Sequence, residues 1–423
     1  MVRFLHTADI HLDSPLRGLS AYEGAPVDLL RTATRRAFSQ LVDMAIEEDV
    51  DFVVIAGDLY DGDWRDYNTG LFFVREMGRL NQAEIPVFLV YGNHDAESEI
   101  TKQLTLPKNV KSFSAKKPET HRLEEIDVAL HGQSFRSAAT TENLAVGYPN
   151  PVTGCLNIGV LHTALEGHAA HATYAPCSLA ELQSKGYDYW ALGHVHEFAI
   201  HSEDPWVVFP GNLQGRHIRE LGPRGAVMVS ADSDGISLER VFVDVVRWHH
   251  VEVDVSEAQT IDDVVTFVGK RFDEVVAGES EDVTIAARVT LTGGTSLHGD
   301  LFSLENQLRA EVLSQANAFG EEVLWVEKVR LDTSPQLDRD ALKARSDAIA
   351  DLQDMLDQAV DDEAFIEDLA DELQQLVNRS PRALFDAVPD LDAVRRGDLG
   401  ELAKEISPAL LSRLARNSEV GSD

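Results

Sequence analysis

Histidine and carboxylate side chains recur in five short clusters along the first 200 residues, and each cluster follows an apolar run. Seven residues of these clusters are candidate metal ligands, six of them histidines or aspartates and one an asparagine: Asp9, His11, Asp58, Asn93, His162, His194 and His196. His94 adds one further histidine beside them. A mixed set of oxygen and imidazole ligands without thiolates favours manganese, iron or zinc over calcium. The set is large enough for two metal ions that share one carboxylate.

The spacing within the clusters favours hydrolysis of a phosphoester. Side chains two residues apart at the end of an extended strand point to the same side, so Asp9 and His11 could bind one ion together. The carboxylate of Asp58 has two oxygens and could bridge two ions. Two ions about 3.5–4 Å apart clamp a phosphate and lower the pKa of a water between them. His94 is then a candidate to protonate the leaving alkoxide.

Alternating strands and helices are predicted to position the first three clusters. Apolar runs predict strands over residues 2–8, 51–56 and 85–91, and three- and four-residue apolar spacing predicts helices over 28–48 and 67–80. This β-α-β-α-β order implies parallel strands with right-handed crossovers. Binding sites form at the carboxyl ends of such strands. The first three clusters are therefore expected at one edge of a sheet.

The pattern changes after residue 110, and short strands with turns are predicted over 110–131. Apolar strands over 156–161 and 189–192 lead to His162 and to the cluster at 193–196. Three further segments have the pattern of antiparallel strands, in a second sheet packed on the first: 206–209, 226–230 and 238–243. The first domain is therefore expected to end near residue 245.

Two smaller parts are expected after the first domain. Residues 246–335 have a small α+β pattern, with strands over 251–255, 283–291 and 323–331, helices over 261–276 and 301–318, and a turn at 292–294. Residues 336–423 have helical patterns over 341–359 and 363–377. The apolar stripe of the second of these helices favours packing against the chain's own core. The alternative is docking of a partner helix.

The net charge limits the ways in which this chain could bind DNA. Its 423 residues include 37 basic and 72 acidic side chains, for a formal net charge of −35. A sequence-independent DNA-binding protein usually shows a basic surface, which the chain as a whole does not. The acidity favours a solvated surface. The alternative is that DNA is handled locally, by metals and a few arginines, or mainly by a partner.

Other features of the composition favour a cytoplasmic protein. No apolar run approaches the roughly 20 residues that span a bilayer, so we expect no membrane segment. The N-terminal residues lack the pattern of a signal peptide. The two cysteines, Cys155 and Cys177, form no C-x-x-C pair and suggest no disulfide framework. A reduced, cytoplasmic setting is the expectation.

The clusters and their neighbours resemble the calcineurin-like metallophosphoesterase superfamily. The resemblance is carried by Asp9-x-His11, Gly57-Asp58-Leu59-Tyr60-Asp61, Gly92-Asn93-His94-Asp95, His162 and Gly193-His194-x-His196. The opening looks like the SbcD-type DNA-repair nucleases: His6-Thr7-Ala8-Asp9-Ile10-His11-Leu12-Asp13. A later stretch is similar to the YhaO-type branch: Pro210-Gly211-Asn212-Leu213-Gln214-Gly215-Arg216-His217, followed by Gly222-Pro223-Arg224-Gly225.

The resemblance implies an α/β fold in three parts. These are a four-layer α/β/β/α metallophosphoesterase nuclease core over 1–245, a small α+β capping domain over 246–335 that shapes DNA access, and a C-terminal helical segment over 336–423. In the relatives that segment binds an SMC-like coiled-coil ATPase of the SbcC/YhaN type. Relatives are often homodimers, and manganese is their usual activating ion.

The resemblance also implies a role for each ligand. One ion would be held by Asp9, His11, Asp58 and His196. The other would be held by Asp58, Asn93, His162 and His194. His94 would be the acid that assists the leaving group. Three residues near a predicted turn are further candidates for contact with substrate phosphate: Arg216, His217 and Arg219. Three other histidines are expected to be structural or to lie behind the ligands: His131, His168 and His171.

Three functions are compatible with these features. The leading hypothesis is a two-metal-dependent DNA exonuclease or endonuclease that acts in DNA repair with an ATPase partner. The alternative is a metallophosphoesterase for small phosphodiesters such as cyclic nucleotides, which the charge of −35 favours over an unaided DNA enzyme. The third is a non-catalytic adaptor that retains the fold, and the intact ligand set argues against it.

Overall fold

The structure is a computed structural model that describes residues 1–14, 27–61, 67–97, 104–165, 174–320 and 322–336, with isolated residues between 355 and 399. The helices predicted over 341–359 and 363–377 lie outside the described residues except for such isolated positions, as do His168 and His171. Among the helices described, none is both long enough and apolar enough to cross a membrane.

The described elements follow one another in a mixed α/β order. In chain order they are β1 (Val2–Thr7), α1 (Val27–Glu47), β2 (Phe52–Ala56), α2 (Tyr67–Gln82), β3 (Val87–Val90), α3 (Asn93–Glu97), β4 (Val110–Ser112), β5 (Glu119–Leu123), β6 (Val128–Gly132), β7 (Leu156–His162), α4 (Leu179–Ser184), β8 (Tyr189–Gly193), β9 (Ala199–Glu203), β10 (Trp206–Phe209), β11 (Gly225–Asp232), β12 (Gly235–Phe242), β13 (Val246–Asp254), α5 (Ile261–Ala277), β14 (Thr284–Thr295), α6 (His298–Ser303), α7 (Glu305–Asn317) and β15 (Leu324–Pro335).

These strands form three sheets. The first has the order β12-β11-β1-β2-β3-β4, in which β1 to β4 are parallel and β11 is antiparallel to β1. The second has the order β5-β6-β7-β8-β10-β9, with a parallel centre from β6 to β10. The third has the order β13-β14-β15. The carboxyl ends of β1, β2 and β3 therefore meet at one edge, as the sequence predicts.

Alternation along the strands gives the first sheet two apolar faces. In β1, Leu5 packs with the apolar sides of α1 and α2, whereas Phe4 packs in the cluster between the two sheets. Phe4 stacks on Phe52 at 4.7 Å and meets Tyr189 of the second sheet edge to face at 5.5 Å. The outer face of the second sheet buries Trp190 with residues that include Leu182 of α4. The layers are therefore helix, sheet, sheet and helix.

The structure differs from the sequence predictions in the pairing of later strands. Of the three segments predicted as antiparallel strands of a second sheet, only β10 lies there, and it is antiparallel to β9 and parallel to β8. The other two, β11 and β12, extend the first sheet, where Phe4 pairs with Val229. Hydrophobic periodicity identifies a strand but carries no information about its partner, which explains this error.

Two local predictions in the later part of the chain are also wrong. The predicted turn at 292–294 lies inside β14, where Gly293 has a φ of +101°. A Cβ at Gly293 would approach Ser256 Oγ within 2.3 Å, so glycine lets the strand pass close to that side chain. The helix predicted over 301–318 is two helices, because Leu304 leaves the helical region with φ −109° and ψ 20°.

The chain divides into two compact units. The first comprises Met1–His250, Glu279–Ala287 and Glu321–Glu327, and it contains the first two sheets. The second comprises Val251–Gly278, Arg288–Gly320 and Lys328–Asp423. In this second unit α5 begins with a capping box, in which Thr260 accepts from the N–H of Asp263 and the Asp263 carboxylate bonds back to Thr260.

Candidate metal centre

The carboxyl ends of strands from both sheets supply the candidate ligands. Asp9 follows β1, Asp58 follows β2, and Asn93 is the first residue of α3 after β3. In the second sheet β7 ends at His162, which pairs with Gly193, the last residue of β8. The sequence-predicted ligands thus converge from five strand ends on one edge of the two-sheet core.

Hydrogen bonds between the sheets fix these ends against each other. The Asp9 carboxylate accepts the backbone N–H of His194, with the shorter distance 2.9 Å. His162 Nδ1 lies 2.9 Å from the carbonyl oxygen of Ala56, to which it donates. Each bond joins a residue of the first sheet or its following loop to a residue of the second. Neither sheet alone could hold the site.

The backbone at this edge is strained. Asp9, His11, Asp58 and His194 have φ values of +50°, +45°, +52° and +106°, in the left-handed region that residues other than glycine rarely adopt. Such conformations cost about 1–3 kcal/mol each and persist where the surroundings impose them, most often at functional sites. All four of these strained residues are candidate metal ligands.

The first ligand cluster consists of Asp9, His11 and His196. Each offers one ligand atom, and these atoms all lie within 4.8 Å of one another. The Nε2 atoms of His11 and His196 are 3.3 Å apart, and His196 Nε2 lies 4.0 Å from an Asp9 carboxylate oxygen. Asp9 and His11 are almost fully buried, while the His196 side chain is 23% exposed.

The second ligand cluster consists of Asp58, His162 and His194, whose ligand atoms also lie within 4.8 Å of one another. His162 Nε2 is 3.4 Å from Asp58 Oδ2 and 3.0 Å from Asn93 Oδ1. Although burial opposes it, the Asp58 carboxylate raises the pKa of His162 to about 9. The N–H of His11 donates to the carbonyl of Asp58 at 3.0 Å, which places the two clusters side by side.

The donor set fits divalent cations. His11 Nδ1 bonds Asp61 at 2.9 Å, and His196 Nδ1 bonds Glu220 at 2.7 Å. Because a carboxylate only accepts hydrogen bonds, both Nδ1 atoms carry their proton and both Nε2 atoms face each other across the cluster. Metal-binding histidines are oriented in this way, with one nitrogen on a carboxylate and the other on the ion. His162 has the same arrangement, with the Ala56 carbonyl in place of the carboxylate.

Sequence reasoning gave no role to Asp61 or Glu220, the two carboxylates that orient these histidines. Burial opposes ionisation, but the hydrogen bond from His11 lowers the pKa of Asp61, and the one from His196 lowers that of Glu220. Asp61 ends the motif Gly57-Asp58-Leu59-Tyr60-Asp61, whereas Glu220 lies in a loop without periodicity. The one available signal for Glu220 was an acidic residue four positions after Arg216 in the Gly-rich stretch.

Arg216 lies between these two carboxylates instead of projecting into solvent. Its Nη1 is 3.9 Å from Asp61, its Nη2 is 3.5 Å from Glu220, and its backbone N–H donates to Glu220 at 2.7 Å. Nη1 also donates to Ser14 Oγ at 3.2 Å. The side chain is only 15% exposed. Arg216, predicted to contact substrate, is therefore packed behind the first ligand cluster.

The other two substrate candidates differ from Arg216. The side chain of His217 is 46% exposed and lies 3.7 Å from Glu220. Burial lowers the pKa of His217, although Glu220 opposes this. Arg219 is exposed and forms no ion pair with any residue that the structure describes. His217 therefore lies beside the first ligand cluster, next to the carboxylate that orients His196.

His94 stands at the open side of the site. Its side chain is 43% exposed, its ring centroid is 5.1 Å from that of His11, and its Nδ1 lies 3.5 Å from Asp61. Its backbone N–H donates to Asp58 Oδ1 at 3.1 Å. It is thus next to both clusters and open to solvent, a position suited to an acid that meets a substrate.

Asp95, the residue after His94, holds two loops of the site together. Its buried carboxylate accepts the N–H groups of Leu59, Tyr60 and Gly92 at 2.9–3.1 Å. Burial and the nearby Asp58 charge raise the pKa of Asp95 to about 7, against these hydrogen bonds. The contacts tie the loop after β2 to the loop after β3, and so hold Asp58 near Asn93.

Two glycines allow the ligands to approach the backbone. A Cβ at Gly57, whose φ is +100°, would lie 2.3 Å from His162 Nδ1. A Cβ at Gly92 would lie 2.3 Å from Asp58 Oδ1. Any larger residue would displace a ligand, which is the physical reason for glycine before Asp58 and before Asn93.

Two other histidines bind neighbouring protein groups. His6 bonds Tyr189 and the Leu192 carbonyl at 2.9 and 3.0 Å, and burial lowers its pKa to about 3. His131 bonds Thr120 and Asn157 at 2.9 and 3.1 Å. Both rings use both nitrogens in these bonds, so neither is available to a metal.

Comparison with known protein families agrees with this geometry. A family model described as calcineurin-like phosphoesterase matches residues 2–198, and one described as the middle domain of metallophosphoesterase YhaO matches residues 248–334. Members of the calcineurin-like family use divalent metal ions.

Two curated proteins are similar to this chain. It is 32% identical over 336 residues to an uncharacterized metallophosphoesterase, YhaO of Bacillus subtilis, across 78% of this chain and 81% of that protein. It is 24% identical over 267 residues to the DNA double-strand break repair protein Mre11 of Sulfurisphaera tokodaii, across 60% of this chain and 66% of that protein.

Among solved structures, a dimetal phosphatase from Danio rerio is similar at 12% identity, with 57% of this chain and 96% of that chain covered. Its TM-score of 0.37 is too low to add to the assignment. The family assignment rests on the sequence relatives. Because the identity to YhaO extends over four fifths of that protein, the chain belongs to the calcineurin-like metallophosphoesterase family, in the branch that includes YhaO.

Proposed function

We propose that this chain is a two-metal-dependent DNA nuclease that hydrolyses phosphodiester bonds as an exonuclease or endonuclease. The observation that carries the proposal is the pair of ligand clusters at one edge, Asp9–His11–His196 and Asp58–His162–His194, with the half-exposed His94 beside them. Two divalent ions bound there would neutralise charge on a phosphodiester and activate water for attack.

The residues of the chain have distinct tasks in this proposal. Asp61 and Glu220 hold His11 and His196 with Nε2 toward the first ion position. Asn93 contributes a neutral oxygen at the second position, beside His162. His94 donates a proton to the leaving alkoxide, since its ring is the solvent-open group next to the ligands.

Relatedness to a repair protein supports DNA as the substrate. The similarity to Mre11 is distant, at 24% identity, and that protein is described as acting in DNA double-strand break repair. A second candidate is a phosphoesterase for small phosphodiesters such as cyclic nucleotides. The net charge of −35 favours that candidate, because it opposes long polyanions over most of the surface.

The remaining parts of the proposal concern the ions and the partners. Mn²⁺ is the proposed metal: oxygen and imidazole ligands without thiolates suit manganese, iron or zinc, and the resemblance to the SbcD-type nucleases favours manganese among them. We further propose a role in cytoplasmic DNA repair, with an SMC-like ATPase bound to residues 336–423 and with a homodimer as the assembly. Copurification with the ATPase and ATP-stimulated cleavage would support that partner, and loss of both on deleting 336–423 would locate it.

Digestion of end-labelled linear DNA tests the proposal. The purified protein, alone and with the ATPase, is assayed with Mn²⁺, Mg²⁺ or Zn²⁺, and in parallel with bis-p-nitrophenyl phosphate. Wild type and a His201→Ala control on β9 should cleave DNA with Mn²⁺, whereas His94→Ala and Asp58→Asn should not. Hydrolysis of the small diester without any DNA cleavage would favour the second candidate. Absence of both activities in metal-loaded protein would overturn both.

A further inference from the structure

Positive charge is concentrated in one short segment of this acidic chain. Five of its ten lysines lie between residues 102 and 117, and residues 108–122 contain five basic side chains against one acidic one. Lys111, Lys116 and Lys117, which we call the edge lysines, are all exposed. The chain as a whole has a net charge of −35, so this segment is locally basic within an acidic protein.

The edge lysines lie where the two sheets of the core are joined. Lys111 is on β4, the edge strand of the first sheet, opposite Phe88 of β3. Lys116 and Lys117 are in the loop to β5, the edge strand of the second sheet. His121 of β5 packs on Phe113 with ring centroids 4.9 Å apart, which brings the two edge strands together.

The loop that carries Lys116 and Lys117 is at the same edge as the metal ligands. β5 begins at Glu119, which pairs with Gly132 of β6, and Gly132 pairs with Val160, two residues before His162. At about 4.8 Å per strand, the start of β5 is therefore roughly 10 Å from β7. Duplex DNA advances about 3.4 Å per nucleotide along each strand, so roughly three nucleotides cover that distance.

Hydrogen bonds order this loop and connect it to the site. Ser114 N–H donates to Glu119, and Lys116 N–H donates to Ser114 Oγ, both at 3.1 Å. The carbonyl of Ser114 accepts from Ser134 N–H, while Ser134 Oγ accepts from the N–H of Tyr91, directly before Gly92. Two lysines are thus presented from a loop tied to the strand end that supplies Asn93.

The edge lysines also lack the acidic partners that several arginines of the chain have. Arg35, Arg79 and Arg247 are each ion-paired with Asp or Glu. Within the described part of the chain, no ion pair involves an edge lysine. Burial and, next to it, the nearby charge of Lys111 lower the pKa of His121, although Glu119 opposes this.

We propose that the edge lysines bind the phosphate backbone of the DNA substrate a few nucleotides from the bond that is cleaved. This inference rests on the proposed nuclease function and adds the surface that would hold the polyanion. Phosphate contacts position a duplex without reading its sequence. The surface would thereby give an acidic protein a local site for DNA.

Salt-dependent binding tests this inference without requiring cleavage. Binding of a fluorescein-labelled duplex to the full chain is followed by fluorescence anisotropy over a KCl series, without added metal. The test variant is Lys116→Gln/Lys117→Gln. The control, Arg31→Gln/Arg36→Gln, makes the same charge change at two exposed positions on α1, outside the basic segment.

Log K falls as log salt rises, with a slope of about −0.9 for each phosphate contact. Loss of two contacts should therefore make this slope less steep by about 1.8. Between about 50 and 200 mM salt the salt-dependent change in affinity would then shrink by about tenfold. The control should keep the wild-type slope. Hydrolysis of bis-p-nitrophenyl phosphate should be unchanged in both variants, because that substrate is too small to reach the loop.

The outcomes separate this inference from the nuclease proposal. Equal slopes for wild type and the test variant, or no binding by wild type, would overturn the role of the edge lysines. If the lysines instead bind an acidic protein surface, the DNA slopes will also be equal. Salt-dependent binding through the lysines with no DNA cleavage by metal-loaded wild type would overturn the nuclease proposal and the placement of the lysines beside a cleaved bond, and would leave the lysines as a DNA-binding surface only.

Discussion

Glu220→Gln is expected to weaken metal binding at the first ligand cluster while leaving the fold intact. Glu220 uses one oxygen to accept from His196 Nδ1 at 2.7 Å. Its other oxygen accepts from Asn212 Nδ2 at 2.9 Å and from Arg216 N–H at 2.7 Å. Glutamine has one oxygen, so its NH2 group must face one of these donors. The substitution removes the charge and also mismatches a hydrogen bond.

The size of the effect follows from these contacts. A hydrogen bond to a charged group contributes about 1.5–3 kcal/mol and a neutral one about 0.5–1.5 kcal/mol, so loss of the charge alone costs about 1–1.5 kcal/mol. The Arg216 guanidinium, 3.5 Å from Glu220, would then be less compensated and would repel an incoming cation. We expect a 10–100-fold loss of metal affinity, the usual range for groups that orient metal ligands.

Calorimetric titration of Mn²⁺ into metal-free protein measures this loss. Of two binding steps, one should weaken and the other should stay near its wild-type affinity, because His162 is held by a backbone carbonyl. Glu239→Gln, at an exposed position on β12, is the control for the loss of one negative charge. Two unchanged steps in Glu220→Gln, or an equal loss in Glu239→Gln, would refute the reasoning.

Three further predictions follow from single residues. His94→Ala should keep wild-type metal stoichiometry and lose about 10²–10⁴-fold in kcat, so a lower metal content would contradict its assignment as the acid. Gly57→Ala should lower the free energy of unfolding by about 2–5 kcal/mol, because of backbone strain and the clash with His162. Its control is Gly78→Ala, in open space on α2, which should raise the free energy of unfolding by about 0.5–1 kcal/mol. Burial lowers the pKa of His131, so the folded state resists protonation and stability should fall as pH drops below about 6.5, the unfolded value. His131→Gln should reduce the fall of the free energy of unfolding with pH by at most about 1.4 kcal/mol per pH unit. Urea unfolding at several pH values measures this, and parallel stability curves for wild type and the variant would contradict the role of His131.

The strands that end at the site could be predicted because each is a mostly apolar segment followed by polar residues. The ends of β1, β2, β3, β7 and β8 fall within two residues of the predicted ends. Pairing could not be predicted in the same way. β11 joins the first sheet beside β1 through contacts more than 200 residues apart in sequence, which no local pattern encodes.

The orienting residues were harder to find than the ligands for a related reason. Asp61 and Glu220 come from loops, where there is no periodicity to give a direction to a side chain. Their roles depend on which histidine nitrogen they meet, a distance of 2.7–2.9 Å that is set by both sheets together. The sequence identifies residue types that suit metals. The fold determines which of them are placed to bind the ion and which instead hydrogen-bond to a ligand.

The position of Arg216 changes where DNA contacts should be sought. Sequence reasoning offered this arginine for phosphate because it lies in a Gly-rich stretch near the site. In the structure its guanidinium is largely buried between Asp61 and Glu220, so moving it to a phosphate would uncover two carboxylates that hold His11 and His196. That exchange would weaken the metal site at the moment of substrate binding. The exposed Lys116 and Lys117 carry no such penalty, and the proposed phosphate contacts are therefore better assigned to the edge lysines than to Arg216.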